Sequence, residues 1–312
     1  MVVPSEQQQG KGRADISVVI VSWNTADLLD RCLASVEREM AASGLAVEVT
    51  VVDNASSDGT PAMVRDRHPS ASLVTLDRNR GFAAASNVGI ARSSGRAILL
   101  LNPDTELLSG ALAALWAALG AMPHVGVVGA LLLNPDGSVQ SSGYRFPGLR
   151  QVAVDFFPLH PRLVASSFNG RVSPGDGHSP VAIDHPLGAC MLVRAEAIDE
   201  VGLLDEGYFM YSEEIDWCRR MQAAGWTCLT APAARVVHYG GQSTGQRKDA
   251  MVLELHRSRA RYFQRYHSRR FQLAVAVVAR AAVLIERLRA GSRGDSRVAL
   301  MEQVAACYRR PE

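Results

Sequence analysis

The stretch ISVVIVSWNTADLLDRCLASVERE, residues 16–39, decides the architecture. Its opening ISVVIVSW is a nearly continuous apolar, β-branched run, the composition of a strand buried on both faces and therefore of a parallel central strand. From Thr25 the period changes. Leu28, Leu29, Cys32, Leu33 and Val36 recur at helical spacing behind a cap at Thr25 or Asp27. The alternation then repeats. VEVTVVDN (47–54) is the next strand, and SSDGTPAMVRDRH opens a helix with Ser57 or Asp58 near its start. The strand SLVTL follows, then the Gly-rich turn and helix of NRGFAAASNVGIARSSG, then AILLLN ending at Asn102. Strand and helix alternating in this order predict an α/β fold, a mostly parallel sheet flanked by helices.

Beyond Asn102 the pattern predicts a helix over 109–121, a strand over 125–133 and a hairpin turn at NPDGSV. From Tyr144 to Pro180 the chain is rich in Pro, Gly, Ser and aromatics without a period, which marks an irregular segment, functional or mobile, expected to shape acceptor recognition or else to pack as a surface loop. Regular structure returns with GACMLVR, a helix over 195–200, the acid-rich YFMYSEEIDWCRR (208–220) and WTCLTAP. A helical tail begins at about Lys248.

The chain has 312 residues, 47% of them hydrophobic, enough for one large domain or two modest ones with genuine cores. Five cysteines without Cys-x-x-Cys spacing, most of them in apolar runs, argue for a reducing compartment and against a disulfide framework or a zinc knuckle. The polar residues 1–14 lack an apolar core and read as a disordered leader, which places the protein in the cytoplasm. The residues up to Gln246 carry 18 Lys+Arg against 25 Asp+Glu, and those after it 15 against 6. An acidic body thus precedes a basic tail, 247–312, suited to an anionic partner.

In open α/β sheets ligands gather at the carboxyl ends of the strands. Four polar clusters lie there: Trp23-Asn24-Thr25, Asp53-Asn54, Asn79 to Gly81, and Asn102-Pro103-Asp104. The dinucleotide Gly fingerprint is absent after the first strand, which excludes a typical nicotinamide enzyme. Asp53, an acceptor-only carboxylate at a strand end, suits a pyrimidine imino N–H or a ribose hydroxyl; its alternative use is capping the next helix. Asp104 suits a hard divalent ion against a diphosphate, Mn²⁺ or Mg²⁺, or else an ordinary type I turn. His238 precedes a loop of small donors, including Ser243 and Thr244, and could complete such a metal site.

These motifs, with PLGACMLVRAEAIDEVGLLDEGYFMYSEEIDWCRRMQAAGW and RVVHYGGQST, resemble the family 2 inverting glycosyltransferases of the GT-A fold, in the branch of the bacterial rhamnosyltransferases of cell-wall and O-antigen assembly. The resemblance covers roughly residues 16–245. It implies a catalytic domain over 15–246, with a nucleotide-sugar half at about 15–105 and an acceptor half at about 106–246. Asp53 falls where the family binds the nucleotide base, with Asn24 and Asn79 lining that pocket and Gly81 and Asn102 beside it. Asp104 matches the last acid of the metal-binding DxD element, here Asn102-Pro103-Asp104, and His238 matches a C-terminal metal ligand. The catalytic base matches Glu214, where the family usually carries Asp. The implied reaction moves a sugar, rhamnose from dTDP-rhamnose, to a lipid-linked or polysaccharide acceptor with inversion. A UDP-hexose, UDP-N-acetylhexosamine or UDP-galactofuranose donor, and a catalytically silent nucleotide-binding subunit, are the alternatives.

Three acids crowd one helix start. Ser212 is expected to cap a helix beginning at Glu213, with both glutamates in the first turn. Asp216 is expected to form a surface pair with Arg220 four residues on. Glu214, beside Trp217 and Cys218, is the acid best placed for desolvation. Gly188 and Ala189 are expected to let backbone approach the donor sugar, with Glu213 a further acceptor-side contact. In the tail, Arg257, Arg261 and Arg265 fall at successive i+4 positions. The following FQLAVAVVARAAVLIERLRA, broken by Arg280, suits an in-plane amphipathic helix at the inner face of the membrane better than a spanning one. Packing on the catalytic domain and a homodimer interface are the alternatives, and no nucleic-acid module is recognisable.

Overall fold

The computed structural model describes residues 13–157, 160–175, 177–240, 248–290 and 296–309. Twelve of the predicted leader residues, and the loop residues Ser243 and Thr244, lie outside these. The first half alternates as expected: β1 (Ile16–Ser22), α1 (Ala26–Ser43), β2 (Val47–Asp53), α2 (Thr60–Arg67), β3 (Ser72–Thr75), α3 (Phe82–Ile90) and β4 (Ala97–Leu101). There follow β5 (Thr105–Leu107), α4 (Ala111–Gly120), β6 (Val125–Leu133), β7 (Val139–Gln140) and β8 (Gly143–Tyr144). Next come α5 (Leu149–Phe156), α6 (Pro161–Val164), β9 (Val181–Ile183), β10 (His185–Pro186), β11 (Cys190–Arg194), α7 (Ala195–Val201), α8 (Glu213–Ala223) and β12 (Thr227–His238). The tail forms α9 (Lys248–Tyr266), α10 (Arg269–Ala290) and α11 (Ser296–Cys307).

The main sheet runs β3-β2-β1-β4-β11-β6-β12-β5. β1, β2, β3 and β4 are mutually parallel, β11 is antiparallel to both its neighbours β4 and β6, and β12 is parallel to β6. β1 is buried along its whole length because both faces are covered. Val18 and Ile20 meet Leu29, Leu33 and Val36 of α1 on one face, while Val19 joins Ala83, Ile90, Trp217 and Met221 on the other. Asn24 and Asp104 therefore emerge on either side of the point where chain order reverses between β1 and β4, the usual crevice of such sheets.

The second helix starts at Thr60, and of the two residues expected near that start it is Asp58 that serves it: Asp58 Oδ1 accepts from the Thr60 amide at 3.1 Å and Oδ2 from the Ala26 amide at 2.9 Å, which makes Asp58 a tie between two helix starts. One expectation is corrected. The segment 144–180 is not irregular throughout. It contains α5, whose Val152 and Val154 are buried.

The tail packs on the body. Tyr262 and Phe263 of α9 are buried with Val152, Tyr208 and Ile215, and the Ser258 hydroxyl donates to the Met210 carbonyl at 2.7 Å. Arg261 and Arg265, expected on a basic surface, both pair with Asp205. Of the alternatives open for this segment, docking on the catalytic body is the one α9 adopts.

Candidate active site

Sheet register assembles the site. β5 pairs antiparallel with the end of β12, setting Thr105 opposite His238, so Asp104, one residue before β5, arrives beside the imidazole. Asp104 Oδ1 and His238 Nε2 lie 3.5 Å apart, both residues buried. Asn102 is fixed by its amide, which donates to the Ala189 carbonyl at 2.9 Å, and this joins the Asn-Pro-Asp turn to the loop before β11.

Opposite this pair stands the start of α8. Tyr211 and Ser212 both occupy left-handed backbone, with φ of 68° and 63°, a conformation costing non-glycine residues of order 1–3 kcal/mol each. Ser212 makes no side-chain cap bond, contrary to expectation, because left-handed backbone turns it away from the helix amides. The strained pair swings α8 so that Glu213 and Glu214 enter a cleft of about 460 Å³ that Asn102, Asp104, Gly188, Ala189 and His238 also line.

Within the cleft the two glutamates differ. Glu213 is 5% exposed, and burial, reinforced by the neighbouring Glu214 charge, holds its pKa well above the usual carboxylate range. Burial pushes Glu214 up to about 7, against lowering by backbone hydrogen bonds and the Arg259 charge. Each has one buried carboxylate oxygen without a hydrogen-bond partner. Two adjacent acids poised this way can hold one proton in place and accept another. Asp216 belongs elsewhere. It is fully buried rather than a surface residue, because besides Arg220 at 2.9 Å it accepts from Arg265 at 3.0 Å and from the Tyr266 hydroxyl at 2.8 Å.

The donor-side wall is a clamped turn. Asn79 Oδ1 accepts from Asn54 Nδ2 and from the Gly81 amide, each at 3.0 Å, and Asn54 Oδ1 accepts from the Arg80 amide at 2.8 Å. Gly81 has φ 83°, and a side chain there would run into the Phe209 carbonyl, which already accepts from the Phe82 amide at 2.7 Å. Asn24 and Asp53 do not line the cleft. They sit beside it, Asn24 Oδ1 accepting from the Ser57 amide at 2.8 Å and Asp53 Oδ2 from the Ser56 amide at 3.1 Å. Asp53 Oδ1 is buried without a partner, an acceptor left open at the strand end. The Cβ position of Gly188 faces the Glu214 side chain at 3.7 Å, ordinary contact, so its neighbour is the acid rather than open space for a sugar.

Trp23, named in the first strand-end cluster, does line the cleft, but sequence reasoning missed its other apolar walls: Val21, Phe209, Met210 and Met251. Met251 belongs to α9, so the tail completes the cleft. No short motif signals this, since an apolar residue at the start of a helix is ordinary.

A glycosyl transferase family 2 model matches residues 17–201. N-acetylglucosaminyl-diphospho-decaprenol L-rhamnosyltransferase of Mycobacterium tuberculosis is 32% identical over 269 residues, covering 81% of this chain and 85% of that protein. Rhamnosyltransferase WbbL of Escherichia coli K12 is 33% identical over 95 residues, covering 29% of this chain and 36% of that protein. Among solved structures, the mannosyltransferase PcManGT of Pyrobaculum calidifontis, in complex with GDP-Man and Mn²⁺, superposes with TM-score 0.59 at 19% identity, over 95% of this chain and 80% of its own. The mostly parallel sheet, the motif order and these matches agree: the chain belongs to glycosyl transferase family 2 and is a glycosyltransferase of the GT-A fold.

Proposed function

We propose that the enzyme transfers L-rhamnose from dTDP-rhamnose to a hydroxyl of a lipid-linked glycan, with inversion, and that Glu214 is the general base. The observation that carries this reading is a carboxyl pushed up to about 7, with an open oxygen, in the same cleft as the Asp104–His238 pair. Glu214 takes the acceptor hydroxyl proton as that oxygen bonds to the anomeric carbon. The bond from that carbon to the leaving diphosphate breaks on the opposite face, and the nucleoside diphosphate departs with the electron pair. The donor half, 15–105, supplies Asp53, Asn79 and Gly81 to the nucleotide, with Asn24 holding the adjoining loop. The acceptor half, 106–246, supplies Glu213, Glu214 and the Gly188-Ala189 backbone. The rhamnosyltransferase relatives support the choice of sugar and of a lipid-linked acceptor.

A divalent cation fits between Asp104 and His238, whose facing oxygen and nitrogen are hard and borderline donors; the described residues hold no group of three or more acidic, His or Cys ligands, so donor phosphate oxygens would complete the shell. Bound there, Mn²⁺ or Mg²⁺ supplies Lewis-acid neutralisation of the leaving diphosphate. Asp104→Ala should weaken Mn²⁺-dependent binding of dTDP-rhamnose at least about tenfold, the scale seen even for outer-shell partners, measured by calorimetry. Metal-independent donor affinity equal to that of the parent protein would sink the site.

The tail suits attachment at the inner face of the membrane. No helix among the described residues is long and apolar enough to cross a bilayer. On α10, however, Leu273, Val277, Leu284 and Leu288 are exposed along one stripe, at successive spacings of four, seven and four residues. Arg269, Arg270, Arg280, Arg287 and Arg289 surround them, the pattern of a helix lying among anionic headgroups. Leu284→Glu with Leu288→Glu should abolish co-sedimentation with phosphatidylglycerol vesicles. Undiminished vesicle binding would overturn the membrane reading, and a dimer that becomes a monomer in light scattering would assign the stripe to a homodimer seam instead.

A further inference from the structure

The hairpin after β6 reaches the metal pair. Gln140, the last residue of β7, sits opposite Leu132 of β6, and its Oε1 lies 2.7 Å from His238 Nδ1. Its other amide atom is committed: Gln140 Nε2 donates to Asn134 Oδ1 at 3.2 Å. Asn134 Nδ2 donates in turn to Ser138 Oγ at 2.9 Å, and Ser138 Oγ donates to Asp136 Oδ1 at 2.6 Å. Asn134, Asp136 and Ser138 come from NPDGSV, the hairpin turn marked in the sequence, and Gln140 follows it directly; the reaction leaves all four unused.

Donor and acceptor roles along this chain can be fixed from one end. The hydrogen bond from Ser138 holds Asp136 below the usual carboxylate range, so Asp136 is ionised and can only accept. Ser138 therefore spends its hydroxyl proton on Asp136 and offers a lone pair to Asn134. Asn134 must present its NH₂ to Ser138 and its carbonyl to Gln140. Gln140 must present its NH₂ to Asn134 and its carbonyl to the imidazole. The reverse orientation of both amides would set the Asn134 carbonyl against a hydroxyl oxygen that has no proton left to give. His238 Nδ1 is consequently the N–H, and neutral His238 carries its lone pair on Nε2, 3.5 Å from Asp104 Oδ1.

We infer that Gln140 is a positioning residue that locks His238 in the tautomer able to bind a metal, with the hairpin 134–140 as its fixed support. The inference rests on the Asp104–His238 metal reading for its purpose and on the hydrogen-bond chain for its substance. Outer-shell partners of this kind orient metal-binding imidazoles and raise their basicity. Here the lock is a neutral amide whose orientation is inherited from a turn, so it adds no charge to the cleft.

The test uses the full chain with ¹⁵N-labelled histidine at about pH 8.5, about two units above the ordinary imidazole value. His238 signals are assigned by their loss in His238→Ala. The parent protein should show Nδ1 protonated and Nε2 bare. Gln140→Leu should shift the Nδ1 and Nε2 resonances toward each other as the second tautomer becomes populated, and should weaken Mn²⁺ binding about tenfold in electron paramagnetic resonance titration. Asn134→Ala, which leaves the strand residue in place, should move both readouts the same way by less. Gln140→Glu, which keeps an acceptor on Nδ1, should restore the parent tautomer. A tautomer ratio unchanged in Gln140→Leu would overturn the lock. Mn²⁺ affinity unchanged in Asp104→Ala would instead overturn the metal reading, and the nitrogen shifts would still decide the role of Gln140.

Discussion

Glu214→Gln is expected to bind donor normally and to lose transfer, with kcat lower by about 10² to 10⁴-fold, the usual share of general base catalysis. The amide is nearly isosteric, so the contact with Gly188 and the helix start survive while the proton acceptor does not. Near-normal nucleoside diphosphate release that depends on acceptor would reject Glu214 as base, whereas no release from the parent protein under any donor would point to a silent subunit. The pH profile carries the same information. Only the carboxylate can take a proton, and burial pushes Glu214 up to about 7, so kcat/KM should rise as pH rises through about 7 and then level off. Stability runs the other way. A carboxyl raised above its unfolded value keeps its proton in the folded state while the unfolded chain has lost it, so folding weakens as pH climbs from the ordinary glutamate value of 4.5 through about 7. Glu214→Gln should therefore melt at a higher temperature than the parent at pH 8, activity exchanged for stability at one residue.

The second large effect is expected at the neighbouring acid. Asp216→Ala should destabilise the fold by about 3 kcal/mol, the lower end for breaking a buried ion pair. The lower end applies because Arg265 is 43% exposed and can return to water, whereas Arg220 at 18% cannot do so as fully. The Tyr266 hydroxyl loses its acceptor as well. Since Arg265 and Tyr266 belong to α9, the loss should loosen the tail first, seen as early trypsin cleavage after Arg265. Asp205→Ala breaks two pairs at the partly exposed end of the same interface, and it should cost under about 1 kcal/mol. Equal denaturation midpoints for the two variants would show that Asp216 is an ordinary surface acid after all.

Much of this was legible from local pattern. The strand expected over 125–133 is β6 residue for residue, and the helix expected over 195–200 extends by a single residue. Asp104, His238, Glu213 and Glu214 do share one cleft. What escaped depends on distant partners. The apolar run GACMLVR marks a return to regular structure but does not say that it enters the sheet antiparallel between β4 and β6. The spacing of Asp216 and Arg220 is visible locally, while the contact that buries it comes from Arg265 and Tyr266, about 50 residues later. Ser212 reads as a cap by residue type, yet its φ of 63° removes the geometry a cap needs. Gln140 has no local mark at all, because its role exists only once β12 has brought His238 to it.

The position of β11 also sets a timetable for synthesis. β4 ends at Leu101 and its neighbour begins at Cys190, so about 90 residues must leave the ribosome before the middle of the sheet can close. At roughly 5–20 residues per second that is about 4 to 18 seconds. During this interval β4 and then β6 present long apolar edges, and because β11 runs antiparallel to both, those edges are parallel to each other and able to pair directly. A nascent chain that closed the sheet one strand too early would leave Ala189 unable to accept from Asn102, and the turn carrying Asp104 would never be set.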